Sequence, residues 1–509
     1  MYSAIGQEAK KSSNDNQIIH IHHATYLAFD KRFGDGAQRL IGNVEMEHAG
    51  MLLNCDSAYV YNSNTSARAF GHVHAMKKDS MDLYGDSLHY HGDTKKAEMF
   101  GQIRYIRKAM TLVTKHLMYV ADSSRVNFWD GGTVTDSGTV LVSRRGTYFM
   151  KKRVCAFKDD VVLTNPSYII HCDTMAYEPD AQTAHFSGPT HITGKNTNMY
   201  CVAGYYDSHT GISDFWHHAV IISKKGERLS GDSIYYDKKK DYGAVTNNVS
   251  LKDSADNITI KGNYAIYRGE KRTIMVTKHA EMDQEYEKDT LHLHGDTLYG
   301  YNISMSDTNK SNKTPKLLLA YHHVKFFKKD FQGKCDSLSY DEKDSVMRMF
   351  SNPIVWSDQN QLTADTMRLF MANKKLNLLD MRHNSFIISR DTLASKEDSL
   401  QFNQIKGRNM KGSFRDNKLY KVKVIGNAQT IYYVYSDNNN TIVGANRADC
   451  SNMLIYIDSN RVKSITFLQK PDATLFPMKT IKIADFLLGN FTWHINERPM
   501  REEDIFKLD

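Results

Sequence analysis

Residues 83–106 read LYGDSLHYHGDTKKAEMFGQIRYI, from Leu83 to Ile106, and the recurrence of this stretch decides the fold. Its centre is a small residue followed by Asp and a hydroxyl residue, Gly85-Asp86-Ser87. Apolar Leu88 stands two places after the Asp, and Tyr90 four places after it. A polar run, His91-Gly-Asp-Thr-Lys95, leads to Ala97 and then to Gly101, followed by Ile103. Outward from this copy, the same centre opens at Asp56, Asp173, Asp232, Asp296, Asp336 and Asp365, with a degenerate copy at Asn263. Asp56 lies 30 residues before Asp86, and Asp336 lies 29 before Asp365. The gaps from Asp86 to Asp173 and on to Asp232 are 87 and 59 residues, close to three and two periods. The chain is therefore a repeat array with a unit of roughly thirty residues.

The slots of the unit have physical meanings. The second slot after Asp holds Ala58, Leu88, Met175, Ile234, Ala265, Leu298, Leu338 or Met367, always apolar. The fourth holds Val60, Tyr90, Tyr177, Tyr236, Tyr267, Tyr340 or Leu369, with Gly300 the exception. Alternation such as Met81/Leu83 and Ile258/Ile260 marks strands. Asp after a small residue marks a bend, because its carboxylate accepts from backbone N–H groups just downstream. Polar runs such as Asp237–Asp241 mark hairpin tips. One unit cannot bury its apolar face alone, so stacking completes the core. In a straight strand, Asp and the residues two and four later would share a face. The bend is expected to break that parity, with Asp at an edge and the apolar/Tyr pair inside.

Around 138–160 and 200–225 the frame survives only as Gly146-Thr-Tyr and Gly204-Tyr-Tyr, so the array is expected to be imperfect there. The organisation read from the chain is a disordered segment over 1–17 and repeats over 18–303. A polar insertion over 304–316 comes next, then more divergent repeats over 317–480 and a cap or tail over 481–509. Net charge is +8, which permits an anionic partner without requiring one. Basic doublets such as Lys77-Lys78, Arg144-Arg145 and Lys224-Lys225 fall in turns and read as solvated tips. Six cysteines contain no CxxC pair. Cys55, Cys172 and Cys335 share the small slot before Asp with Gly85 and Ala364, so they read as small buried hydrophobes. No stretch is apolar for the length of a transmembrane helix. Met1 to Asn16 is polar, so no export signal is visible there.

The pattern small-Asp-Ser/Thr-apolar-x-Tyr, then Ala, then Gly-x-Val/Ile, resembles the OstA-like repeat. The resemblance covers roughly residues 18–390 and extends more weakly to about 470. That repeat occurs in periplasmic lipopolysaccharide-transport bridge proteins of the LptA type and in the periplasmic part of the outer-membrane lipopolysaccharide assembly protein. The resemblance implies an all-β, elongated, twisted β-jelly roll, a solenoid-like stack with an open apolar groove and little helix. It implies a non-catalytic carrier that passes lipopolysaccharide or a lipid A-like glycolipid toward the outer membrane. It also implies end-to-end β-strand pairing with other lipopolysaccharide-transport proteins, and a location in the periplasm or at the outer membrane. The groove candidates are Leu88, Tyr90, Met175, Tyr177, Ile234, Tyr236, Leu298, Leu338, Tyr340, Met367 and Leu369.

Two other classes compete. A structural solenoid, scaffold or adhesin, would share the fold with a close-packed interior in place of a groove. A polysaccharide-active β-helix enzyme would need a carboxylate pair standing outside the repeat frame. The prominent Asp residues are in frame and read as corner residues, so no catalytic residue is assigned and no enzyme is expected. Repeated Gly-Asp invites a calcium reading, but nonapeptide calcium repeats are much shorter and richer in Gly. His pairs at 20/22, 72/74, 89/91 and 292/294 share strand faces, but no third ligand is placed, so no metal or other cofactor is expected. The basic doublets are dispersed and match no nucleic-acid module, so no nucleic-acid partner is expected.

Overall fold

In a computed structural model of the chain, Asp86 stands at the midpoint of the strand Met81–His91, where the strand bends. The structure describes residues 18–508 except 30–36, 79–80, 287–288, 302–315, 373–374, 391–400, 416–417, 437–440, 459–460 and 483–485. The expected disordered segment 1–17 and residues 304–315 of the expected insertion 304–316 lie outside the described residues, and Lys316 is described. The rest is almost wholly antiparallel strand. Helix among the described residues is confined to three short 3-10 turns at Met478–Thr480, Ile495–Glu497 and Glu502–Phe506. The chain divides into two compact units, the first holding residues 1–224 with 237–239, the second 225–236 with 240–509.

In the first unit, successive strands of eleven or twelve residues pair with their sequence neighbours, as in Met51–Tyr61, Ser66–Lys77, Met81–His91, Lys96–Arg107 and Met110–Val120. Each pairing slips at the same level. The register shifts between Asn54 and Ser57, Phe70 and Val73, Tyr84 and Ser87, and Phe100 and Ile103. These shifts form one continuous fold line across the strands. On the Asp strands the buried side swaps parity, from Leu53 and Cys55 to Ala58 and Val60, and from Leu83 to Leu88. Asp56 and Asp86 remain exposed at the bend. The parity break expected from the small-Asp pair is what the backbone does.

The fold line is held by left-handed residues facing the carboxylates. Gly71 and His72 have φ of 76° and 43°, and His72 Nδ1 lies 2.8 Å from Asp56 Oδ2. Gly101 has φ 98°, and the N–H of Gln102 donates to Asp86 Oδ2 at 3.0 Å. At Arg145 the roles are reversed: the left-handed residue, Asp159 with φ 66°, carries the carboxylate and accepts from Arg145 at 2.5 Å. In the second unit, Asn248 donates to Asp232 at 3.1 Å and Asn384 to Asp365 at 3.0 Å. The frames missing from the sequence are present in space. Lys115 follows buried Thr114 and Arg144 follows buried Ser143, 29 and 58 residues after Asp86. Val202 follows buried Cys201, 29 residues after Asp173. A bend needs a small inner residue, while the outward position accepts several residue types, charged Lys115 and Arg144 as well as Val202.

The fold line turns each strand into two halves that lie in two facing layers. Met51, Met81 and Leu83 of one layer meet Leu88, Leu117, Tyr119 and Val126 of the other around one small void. The layers therefore join at the fold line, and their hairpin tips face each other across an opposite mouth. On the outer face of one layer, the rings of Tyr59, Phe70, His89, Phe100, His116 and Trp129 run strand to strand. Successive centroids are 6.4, 6.1, 5.4, 5.2 and 5.7 Å apart. Such cross-strand pairs stabilise a sheet by a few tenths of a kcal/mol to ~1 kcal/mol each.

The second unit repeats the bent-strand design, and its strands lengthen to 14–18 residues in Phe402–Arg415, Lys418–Tyr435 and Ile442–Asp458. Its C-terminal segment crosses one layer on the face opposite the interior residues Leu362 and Ile387. Gln404 donates to Phe486 O at 3.3 Å and accepts from Leu488 N at 2.8 Å. Gln361 clasps Thr492 O and His494 N at 2.7 Å each. Leu488 fills a cluster with Phe386, Ile388, Phe402 and Ile431. These buried amides serve the tail backbone as a neighbouring strand would.

A Cβ on Gly101 would lie 2.0 Å from Asp86 Oδ2, whereas a Cβ on Gly138 would meet nothing within 4 Å, though both residues have positive φ. Gly101→Ala is expected to cost about 2–3 kcal/mol in denaturant unfolding and Gly138→Ala about 1 kcal/mol. Asp86→Ala should restore part of the Gly101→Ala loss, and equal losses at the two glycines would refute the carboxylate contact.

Candidate ligand-carrying interior

The interior of the first unit is lined by the slots that the repeat defines, and by more of them than the Asp frame reveals. Tyr90, Tyr119, Tyr148, Tyr177 and Tyr206 occur at uniform intervals of 29 residues. Each occupies the same level of a bent strand, next to the mouth. Small residues of neighbouring strands stand beside them: Ala97 opposite Tyr90 and Tyr119, Cys155 opposite Tyr148 and Tyr177, Ala184 opposite Tyr177 and Tyr206. A large ring on one strand thus takes the room that a small side chain leaves on the next, which is how an interior reaches crystal-like density. Gly146 and Gly204 extend this logic one slot inward. A Cβ on Gly146 would lie 2.2 Å from the Phe128 ring, and one on Gly204 would lie 2.4 Å from the Phe186 ring.

The residues named as groove candidates are buried or half-buried in one or the other unit. Leu88, Met175 and Tyr177 are buried in the first unit, and Tyr90 is half-buried beside the mouth. In the second unit Ile234, Leu298, Leu338, Met367 and Leu369 are buried, while Tyr236 and Tyr340 are half-buried. The two sets belong to different units, so the eleven residues are described as two linings. Sequence reasoning missed Leu117, Tyr119, Tyr148 and Tyr206, because their strands carry Lys115, Arg144 or Val202 where Asp was sought. The 29-residue spacing of the tyrosines was the signal that could have found them.

Burial sets the chemistry of the lining. It pushes the phenols of Tyr105 and Tyr177 up to about 12, and those of Tyr90, Tyr119 and Tyr206 above their ordinary value. The thiols of Cys155, Cys172 and Cys201 are raised to about 12 for the same reason. All six cysteines are buried and unpaired. These phenols and thiols are neutral across the physiological range, and none of the thiols is depressed as nucleophilic catalysis requires. The walls touch. The void bounded by Leu83, Leu88, Tyr105, Leu117 and their neighbours measures about 10 Å³, less than one water fills. Across the mouth, His48 packs on Tyr90 at 5.2 Å and Tyr168 on Tyr206 at 4.8 Å. The open apolar groove that the resemblance implied is not what this structure holds: the side chains of the two layers pack against each other and fill the interior here.

Two polar clusters lie elsewhere in the second unit. Glu281, Asp283 and His292 bring one ligand atom each to within 4.8 Å of one another. The Lys261 ammonium sits 2.5 Å from Asp283 and 3.3 Å from Glu281, so a cation already stands among the carboxylates. A cavity of about 490 Å³ lies between the fold line and the C-terminal segment, lined by Asp336, Asp365, Asn384, Asn490, Thr492 and His494 among others. Its two in-frame carboxylates are engaged, Asp336 by His322 and Ser337 and Asp365 by Asn384. No helix among the described residues is long and apolar enough to cross a membrane.

With fold and lining in place, comparison with known proteins locates the chain. Residues 16–173 match the family described as OstA-like protein, so this segment, which carries the copies at Asp56, Asp86 and Asp173, is OstA-like. Among solved structures the chain is similar to LptH, the LptA homologous periplasmic component of the conserved lipopolysaccharide transport device from Pseudomonas aeruginosa. The identity is 14%, over 27% of this chain and 81% of that one, with a TM-score of 0.15. No curated protein matches this chain.

The Tyr105 hydroxyl is buried without a hydrogen-bond partner in a side chain only 1% exposed. Tyr105→Phe is therefore expected to raise unfolding free energy by about 1 kcal/mol, since it removes an unsatisfied polar group at nearly constant volume. A loss of stability in thermal or urea unfolding would show that the hydroxyl has a partner.

Proposed function

We propose that this chain is a non-catalytic lipid carrier that holds the acyl chains of a lipopolysaccharide-type glycolipid between its two layers. The supporting observation is the continuous neutral lining of the first unit, closed by the 29-residue tyrosine ladder and carried on an OstA-like segment. Leu88, Tyr90, Met175 and Tyr177 would touch lipid there. Ile234, Tyr236, Leu298, Leu338, Tyr340, Met367 and Leu369 would do so in the second unit. Burying a methylene gains about 0.8 kcal/mol, so a dozen of them yield roughly 10 kcal/mol toward parting the layers. The contacts at the mouth are single ring pairs that hinged layers can break and remake. Contacts that repeat every 29 residues give a sliding chain similar energies at each step.

The location that fits this reading is the periplasm, with passage toward the outer membrane. Partners would be other lipopolysaccharide-transport proteins added strand to strand. The N-terminal edge supplies a place for that. Among the described residues, His20–His23 and Tyr26–Phe29 pair with the strand Ala37–His48, and Phe29 is 71% exposed. A scaffold is the second reading, and the packed lining favours it, since a protein that never opens needs no ligand.

Photo-crosslinking separates the two. A photoreactive residue at Ala97 or Val126, both inside, should capture lipopolysaccharide offered to the purified protein, while one at exposed Arg68 should not. Failure of both interior probes with lipid in excess would leave the scaffold.

A further inference from the structure

The mouth of the first unit is closed by paired rings at His48/Tyr90 and Tyr168/Tyr206, but between them charge takes over. A half-open cavity of about 170 Å³ lies there, with Arg107, Lys108, Asp136, Tyr148, Arg153 and Asp180 in its lining. Arg107 and Lys108 come from a tip of one layer, Arg153 and Asp180 from two tips of the other. Arg153 Nη1 pairs with Asp180 Oδ2 at 2.8 Å. The Arg107 guanidinium lies 5.3 Å from the Tyr148 ring centroid. The Arg153 hydrogen bond holds the Asp180 carboxyl below its usual range, and the nearby charges of Lys108 and Arg107 act in the same direction. One exposed carboxylate thus stands among three cations from both sides of the mouth. The second carboxylate, Asp136, is buried, accepts from Ser137 at 3.2 Å and raises the Cys155 thiol on the inner side. Lys151 and Lys152, exposed on the tip that carries Arg153, leave the neighbourhood in positive excess.

Directly beneath the charges the wall is apolar. Met110 and Tyr148 line the cavity and are themselves buried, and Met110 Sδ lies 4.0 Å from Cys155 Sγ. An anionic head over an apolar floor is the outline of an acylated phosphate ester. We propose that this stretch of mouth binds the phosphate group of an acyl lipid, and that Asp180 occupies its place when no lipid is bound. The lipid half of this proposal rests on the carrier reading; the anion half does not. A phosphate monoester brings up to two charges and three acceptor oxygens where Asp180 brings one charge and two. It can span Arg153 and the opposite tip at once, which the carboxylate, bonded to Arg153, does not. Binding would therefore bridge the two layers at the mouth and hold the lipid at a defined depth.

The test uses the full chain with three probes: short-chain phosphatidic acid, the matching diacylglycerol and inorganic phosphate, each titrated by calorimetry. Phosphatidic acid should bind about tenfold more tightly than diacylglycerol, as one or two charge-assisted hydrogen bonds would give. Lys108→Gln/Arg153→Gln should erase most of that difference. Asp180→Asn should increase phosphatidic acid affinity several-fold, because it removes the internal competitor. These residues are exposed at tips, and unchanged melting of the variants confirms folding. If the double variant binds phosphatidic acid as tightly as the parent, the site is overturned while the carrier reading stands. If neither lipid binds but phosphate does, and the double variant loses it, the anion site stands and the carrier reading falls. If no probe binds, both fall.

Discussion

The structure depends on one constraint, that each strand must bend at the same level as its neighbours. A bent strand whose neighbour ran straight would leave buried backbone N–H and C=O groups unpaired on both. The bend is therefore propagated through the ladder, and each crossing is met by left-handed residues and an outward polar side chain. Gly71-His72 facing Asp56 and Gly101 facing Asp86 are two instances of the same solution. The fold line also swaps the inward parity of the Asp strands. This swap sends Leu83 and Leu88, five residues apart, to one interior.

From the fold line follows the two-layer interior, and from the repeat follows its uniformity. In the first unit the tyrosines stand opposite Ala97, Val126, Cys155 and Ala184 at the same depth, so the lining is a series of similar steps. The in-frame aspartates are consumed by the bend. Their partners are backbone and side-chain groups of an adjacent strand or the neighbouring hydroxyl, as Gln102 for Asp86, Asn248 for Asp232 and Ser337 for Asp336. Polarity is instead concentrated where the repeat ends or is broken: at the mouth by Arg107, Lys108 and Arg153, and in the second unit by glutamines that hold the C-terminal segment.

The comparison of repeat copies shows how a frame can be kept after its marker is lost. Lys115, Arg144 and Val202 stand where aspartate stands elsewhere, and their strands bend and pair as the others do. A bend requires a small inner residue, supplied by Thr114, Ser143 and Cys201, and leaves the outward residue free to vary. Reading the array by aspartate alone left holes at these points. Reading it by the tyrosines, which are constrained by packing, leaves none from Tyr90 to Tyr206.

The amino-acid sequence by itself determined the all-β class, the unit length, the parity break at Asp and the inward slots. These are local consequences of alternation and of what a small-Asp pair does to a strand. It also carried the family resemblance, because the slots that define the family are the slots that make the bend. Tertiary structure alone decided that the walls of the trough touch, since closure depends on how two layers approach across the mouth. It alone gathered Arg107, Lys108, Arg153 and Asp180, which come from different tips and meet only once the strands bend. It alone laid the C-terminal segment over Gln361 and Gln404, more than eighty residues away in the chain. The repeat is thus legible one strand at a time, while the mouth is a property of two layers facing each other.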